Sequence, residues 1–464
     1  MLRSYEENGL TSRMARFVCE TQYRDIPADI REYAKVMTAD SLACGFGASA
    51  LSSAQNFVKV AEQIGGGGQA VVLTTGQKVS SGAAAFVNAY LINALDADDT
   101  FYTTCHPMAP ILATALAVAE ETGASGQDLI TALVVGYDVA IRCKRSILKR
   151  QQGFMGWFVM GCVAAAAKLY GLDELQTAMA FGTAAFTAPH TNGRWNLMAS
   201  GRRHDMKYWA THATAFSAVT AAQLVRAGVT SDRTIFDGEW NYSHFIGFDG
   251  IDAQLMVEDL GTRWWIGETS IKPWAVCRYS QIAITLIRQI IAEFDLKPGD
   301  IESVKIQTWD FIASPWFCQP GEITSEYDAQ FSFPHAVAAT ILGWDMGPEW
   351  QSRAIHNPEL DAAAAKVSVS PNPRFDADSV ITDEGNKYMA TIVRLTAKGR
   401  EYCKEGGTAL GDPFEPQFKM TIDTIREKYF SFSRYSLDSE QIKRTFENVR
   451  RLEAIDNVRF QLTC

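Results

Sequence analysis

Residues 93–107 read Asn-Ala-Leu-Asp-Ala-Asp-Asp-Thr-Phe-Tyr-Thr-Thr-Cys-His-Pro, which gathers Asp96, Asp98, Asp99, Thr100 and His106 in one short stretch. Carboxylates, hydroxyls and an imidazole are the residue types of acid–base chemistry. Apolar, alanine-rich runs stand on both sides, over 82–95 and 108–120, and runs of that kind read as packed helices. Titratable side chains between two buried helices are costly unless they are hydrogen-bonded or used. The stretch is therefore the first candidate for a site.

The elements around it must supply what it lacks, which is positive charge. The 464-residue chain carries a formal net charge of -10 and shows no basic run, so nucleic acid is not an expected partner. An acidic protein binds anions only where it gathers local Lys and Arg. The nine cysteines include no CxxC pair, and their spacing fits neither a zinc site nor a disulfide framework. Free thiols in a reducing compartment fit best. Residues 1–8 lack the apolar core of a signal peptide, and no apolar run reaches the ~18 residues a membrane span needs. A cytoplasmic protein with no membrane partner is expected.

Periodicity predicts a helix over 27–48, with Asp25 able to cap it, and another stripe through Phe57, Val60, Ala61 and Ile64. The glycines at 65–68 resemble a phosphate loop only superficially, because no Lys-Ser or Lys-Thr follows. A plain turn is expected, with a short hairpin after it. Helices are expected over 127–148, 159–170, 174–188 and 208–227. Beyond Thr269 the pattern changes. Strands are expected around 304–308, 367–369, 391–395 and 401–404, and helices over 279–294 and 329–342. The segment 419–457 reads as helical and is expected to pack back on the first domain.

Several motifs then carry a resemblance. Asn93-Ala-Leu-Asp-Ala-Asp-Asp-Thr100 with His106-Pro107, Lys168-Leu-Tyr-Gly-Leu172, Lys207 before an Ala-rich helix, Ile271-Lys-Pro-Trp274 with Cys277-Arg-Tyr279, Ala329-Gln-Phe-Ser-Phe-Pro334 and Gly411-Asp-Pro413 follow in order along nearly the whole chain. Together they resemble the MmgE/PrpD superfamily, which includes 2-methylcitrate dehydratase, cis-aconitate decarboxylase and iminodisuccinate epimerase. The resemblance implies a mainly α fold: a large all-helical domain (1–268 with 406–464) and a smaller α+β lid domain (269–405), with the active site in the cleft between them. It implies a homodimer, a small polycarboxylate substrate, and chemistry without metal or organic cofactor.

The shared step is a carbanion made or quenched beside a carboxylate. It needs a base for the proton and cations for the enolate. On this basis Asp96, Thr100, His106, Lys207, Lys272, Cys277 and His335 are the catalytic candidates. Arg278, Arg202, Arg203, Arg194, Gln281 and Met155 are the candidates for binding substrate. Lys207 is expected at a helix start, where N–H groups favour an anion, and Lys272 in the first turn of the lid domain. Asp98 and Asp99 are expected to be structural. A carboxylate in a site for anions would repel them unless protonated or paired, so a raised pKa is expected for Asp96. Cys277 beside Arg278 could titrate low.

The chain departs from the family pattern at Met155, Cys277, Gln281 and His335, and several family histidines are missing. The leading expectation is a lyase that abstracts an α-proton and loses water or CO2. An epimerase or isomerase using the same carbanion is the alternative, with Lys opposed by His335 or Cys277. A carboxylate-binding protein without catalysis is the third.

Overall fold

The computed structural model describes residues 7–102, 105–148, 156–189, 204–207, 210–318, 323–372, 374 and 388–463. Helices dominate, and the sheets are small. None of the described helices is long and apolar enough to cross a membrane.

The helical part comprises α1 (Leu10–Glu20), α2 (Ala28–Gly47), α3 (Ser52–Gly65), α4 (Ser81–Ala94), α5 (Met108–Thr122), α6 (Gly126–Ser146), α7 (Phe158–Tyr170), α8 (Glu174–Thr187) and α9 (Thr211–Arg226). Helices α4 and α5 are buried on nearly every face, as expected of segments apolar all round. Their limits are set by local chemistry. Ser80 caps α4, Ser125 and Asp128 form a capping box on α6, and α5 stops at Gly123 in the left-handed region. Helices α6 and α7 cross backbone to backbone, so a Cβ at Gly161 would overlap the Gly136 carbonyl.

The second part holds a four-stranded sheet in the order β6-β5-β7-β8: β5 (Ile301–Thr308), β6 (Val367–Pro371), β7 (Thr391–Ala397) and β8 (Arg400–Gly406). Only the β5–β6 pair is parallel. Helices α10 (Gln281–Glu293), α11 (Glu326–Phe331) and α12 (Phe333–Ile341) complete a second core around Ile282, Leu286, Val304, Val337 and Leu395. The last helices, α13 (Ile425–Ser433) and α14 (Ser439–Arg450), place Tyr429, Phe432, Phe446 and Val449 in the helical core instead. We propose on this ground the division 1–268 with 406–464 against 269–405.

Three local expectations are corrected. Asp25 does not cap α2. It accepts from the Gln22 N–H at 2.8 Å, and Pro27 stands at the cap. Gly66–Gly68 are not a turn but part of strand β1 (Gly66–Val71), paired with β2 (Lys78–Val79). Gly68 lies so close to the Val79 carbonyl that no side chain fits. The helix expected over 329–342 is two helices, because Pro334 has no N–H to continue the ladder and Ser332 is extended.

Glu120 on α5 is fully buried and accepts from the Val71 N–H at 3.0 Å. Burial pushes its carboxyl up to about 8. The folded state thus favours the protonated form. The stability this gives is fully present below the ordinary value of 4.5 and is lost as pH rises through about 8. Glu120→Gln is expected to remove that loss, so that the variant gains about 2–3 kcal/mol on wild type between pH 5 and pH 8.5. Denaturant melts of both proteins at the two pH values check it.

Candidate active site

The site is built on a strand pair two residues long. Strand β3 (Thr100–Phe101) pairs antiparallel with β4 (Thr269–Ser270), Thr100 opposite Ser270. This ties the loop after α4 to the segment that opens the second part of the chain, and sets Lys272 against the 96–99 carboxylates. Asp96 itself has φ 51°, as a short turn after α4 demands, and Lys207 has φ 54°. Positive φ at two non-glycine residues that face each other is stored backbone strain of the kind found at functional sites.

Asp96 sits between two ammonium groups. Lys207 Nζ is 3.1 Å from its Oδ1 and donates to the Asn93 carbonyl at 2.6 Å; Lys272 Nζ is 3.4 Å from its Oδ2. Lys272 is also 3.7 Å from Asp98 Oδ1. All of these side chains are 5% exposed or less. Burial alone would raise the Asp96 carboxyl, but Lys207 and Lys272 outweigh it and hold it at about 2. The expected raised pKa is therefore wrong in sign: Asp96 is a permanent anion that gathers two cations.

The site carboxyl that is pushed upward is Asp99. Burial, with Asp98 and Asp40 nearby, raises it well above the ordinary range. It accepts from the Met108 N–H at 3.1 Å and from the Tyr137 hydroxyl at 3.1 Å, and so holds the start of α5. Asp98 accepts from Asn93 Nδ2 at 2.9 Å.

His106 Nδ1 lies 2.6 Å from the Asp99 carbonyl oxygen. A carbonyl only accepts, so Nδ1 carries the proton and Nε2 is the basic nitrogen of the neutral ring. Burial and then Lys272 lower its pKa, against Asp98 and Asp96, which pull it the other way. At neutral pH the imidazole is a base. Thr100 Oγ1, Ser270 Oγ and Lys272 Nζ are buried with no hydrogen-bond partner among the described residues.

The remaining candidates divide. Lys207 does not open a helix; its N–H closes a turn onto the His204 carbonyl at 2.9 Å, α9 begins only at Thr211, and its ammonium donates to the Asn93 carbonyl and to Asp96. Arg278 is engaged on one nitrogen, while its buried Nε and Nη1 have no hydrogen-bond partner among the described residues. Its Nη2 binds both Asp412 oxygens at 2.8 Å, bracing the tail against α10. Gln281 donates to the Trp274 and Val276 carbonyls at 3.1 and 3.0 Å and shapes the turn after Lys272. His335 meets Ser332 through Nδ1 at 2.7 Å and Asp361 through Nε2 at 3.1 Å, so both ring nitrogens are engaged outside the lysine–aspartate group. Burial lowers its pKa. Met155, Arg194, Arg202 and Arg203 lie outside the described residues.

Cys277 is buried beside the centre, and burial, followed by the charge of Asp96, pushes its thiol up to about 12. The low titration expected for it is overturned, because desolvation outweighs the lysines. Cys277→Ala is expected to keep kcat/KM within about threefold, and the native thiol should resist a charged alkylating reagent at pH 8. Steady-state kinetics and mass spectrometry after alkylation check both.

Some contributors escaped the sequence reading. Gln330 Nε2 donates to the Ala94 carbonyl at 2.8 Å, and Gln351 Nε2 to the Leu95 and Ala275 carbonyls at 2.6 and 2.9 Å. These bonds tie the second core to the site loop. Gln330 stood inside a motif that had been noticed for its Phe and Pro; Gln351 carried no signal. Among the described residues no grouping of three or more His, Cys, Asp or Glu side chains could hold a metal ion.

The MmgE/PrpD N-terminal domain matches residues 12–250 and the MmgE/PrpD C-terminal domain residues 274–453. The chain belongs to the MmgE/PrpD family. The N-terminal MmgE/PrpD domain supplies Asp96, His106 and Lys207, Lys272 falls between the two matches, and the C-terminal domain includes the α13 helix that packs in the helical core. Among curated relatives in the family, a cis-aconitate decarboxylase of Aspergillus terreus is 29% identical over 98% of this chain and 95% of its own length. A cis-aconitate decarboxylase-like protein, oryM, of Aspergillus oryzae is 24% identical over 98% and 97%. The cis-aconitate decarboxylase of Homo sapiens is 23% identical over 81% and 77%.

Proposed function

We propose that this MmgE/PrpD member is a lyase that removes CO2 or water from a small di- or tricarboxylic acid, with cis-aconitate the first substrate to test. The observation that carries the proposal is the sharing of one ionised aspartate by two buried lysines beside a neutral histidine whose Nε2 is basic. The names of the curated relatives support the substrate class.

Each residue has a part in such a step. An incoming carboxylate competes with Asp96 for Lys207 and Lys272, and the enolate formed next to it stays within reach of the same cations. For loss of water, His106 takes the α-proton, the pair of the C–H bond enters the enolate, and the enolate expels hydroxide, which leaves as water once protonated. For loss of CO2, the pair of the broken C–C bond enters the enolate, and the proton that carbon then takes comes from solvent through His106, whose Nε2 must first be protonated because the ring is neutral at rest. Thr100 is placed to donate to a substrate oxygen, its hydroxyl being buried without a partner among the described residues. The epimerase alternative required His335 or Cys277 as a second acid–base group. An engaged imidazole and a thiol near 12 lend it no support.

The test is incubation with cis-aconitate, citrate-like and iminodisuccinate-like acids in D2O, followed by NMR. Release of CO2 or a new alkene, with deuterium entering at carbon, is the expected result. Inversion with exchange and no loss of mass would assign an epimerase. If no acid reacts, exchanges or raises the melting temperature, the lyase proposal fails.

A further inference from the structure

A third buried lysine belongs to the centre without touching its carboxylates. Lys428, on α13, is 1% exposed. Its ammonium binds the Asp40 carboxylate of α2, the Ala97 carbonyl at 2.6 Å and the Lys272 carbonyl at 2.8 Å. An ammonium has three protons, and Asp40 and the two carbonyls accept from it, with the buried Cys44 thiol also in reach. The two carbonyls are not arbitrary. Ala97 lies between Asp96 and Asp98, and the other carbonyl is that of Lys272 itself. The two segments are also joined by the two-residue pair of β3 and β4 and by Gln351, which donates to the Leu95 and Ala275 carbonyls, but neither of these holds the main chain of Lys272 itself.

We propose that Lys428 is a positioning residue: by binding one main-chain carbonyl from each segment, it fixes the spacing of Lys272 from Asp96 and Asp98. This rests on the Lys207–Asp96–Lys272 group being the reacting centre. Stability alone gives a poor reason for the arrangement. A buried ion pair is commonly no better than a well-packed apolar pair of the same volume. What an apolar pair cannot supply is three directed donors at one point. The planar guanidinium of an arginine does not match that tetrahedral set either.

The decisive variant is Asp40→Asn/Lys428→Met, which removes the buried charge together with its counter-charge and keeps the volume. It is expected to fold, to lose about 100-fold in kcat, as a misplacement near 1 Å would cause, and to keep KM within a few-fold. A second readout needs no substrate. The groups facing His106 are Lys272, Asp98, Asp96 and the Asp99 carbonyl. Once Lys272 is released, its hold on the imidazole weakens, so the NMR titration midpoint of His106 is expected to move up. Asp40→Asn alone leaves both carbonyl bonds and should keep kcat and the His106 midpoint near wild type, and it decides the matter should the double variant not fold. The proposal is overturned if the folded double variant keeps wild-type kcat or an unmoved His106 midpoint, or if Asp40→Asn alone loses activity as heavily as the double variant is expected to. Should wild type turn over no acid at all, the lyase proposal fails while the titration still tests the positioning.

Discussion

Lys272→Met should lower kcat/KM by about three orders of magnitude or more, as loss of a preorganised cation at a developing enolate does. It should also cost about 3–5 kcal/mol of stability, because one partner of a buried ionic group is removed. The side chain is fully buried, with Asp96 3.4 Å and Asp98 3.7 Å away. Without the ammonium, two carboxylates face each other in a dry place. Because the side chain is fully buried, activity and stability should both fall. Adding Asp96→Asn separates the two effects, restoring much of the stability and none of the turnover. Denaturant melts alongside steady-state kinetics give both numbers. Turnover within tenfold of wild type in Lys272→Met would move the chemistry away from this centre.

His106→Asn should lower kcat/KM by about 10²- to 10⁴-fold, the range for loss of a general acid or base, with little change in melting temperature. The pH profile is the sharper readout. Burial and Lys272 both hold the imidazole below its ordinary 6.5. It is therefore neutral across the physiological range: in water loss, where it is the base, wild-type kcat/KM should fall as pH drops through that lowered value, and in CO2 loss, where its protonated form is the acid, kcat/KM should fall as pH rises through it. In the variant this limb should disappear. A limb that persists unchanged in His106→Asn would assign the proton transfer to another group.

How much of this could be read beforehand differs from residue to residue. The helices came from apolar period; the cap read at Asp25 failed, while Ser80, Ser125 and Gly123 set helix ends that period alone does not mark. The site loop came from its composition, since titratable groups between two apolar runs need a reason. The sign of the Asp96 shift did not, because the cations that set it come from Lys207 and Lys272, far along the chain. A lone carboxylate in a buried stretch points to protonation; the same carboxylate between two lysines is the strongest acid of the group. Asp99, set aside as structural, is the one pushed upward. Lys428 gave no warning, standing beside Arg426 and Glu427 in what reads as an ordinary solvated run. Nothing local distinguishes a lysine that faces water from one that reaches a carbonyl across the core.

The reach of α13 back to α2 also sets an order of assembly. Asp40, Asp96, Asp98 and Asp99 are all made early, and of the lysines that pair with them or clamp their loop, Lys207 precedes residue 268 while Lys272 and Lys428 follow it. A nascent helical domain would thus have to close over carboxylates whose counter-charges have not yet left the ribosome. The centre becomes electrically complete only when Lys428 docks, near the end of synthesis. A fragment ending at residue 268 would keep these aspartates hydrated and its core open. These aspartates are therefore fully paired only once segments from both halves of the chain have packed together.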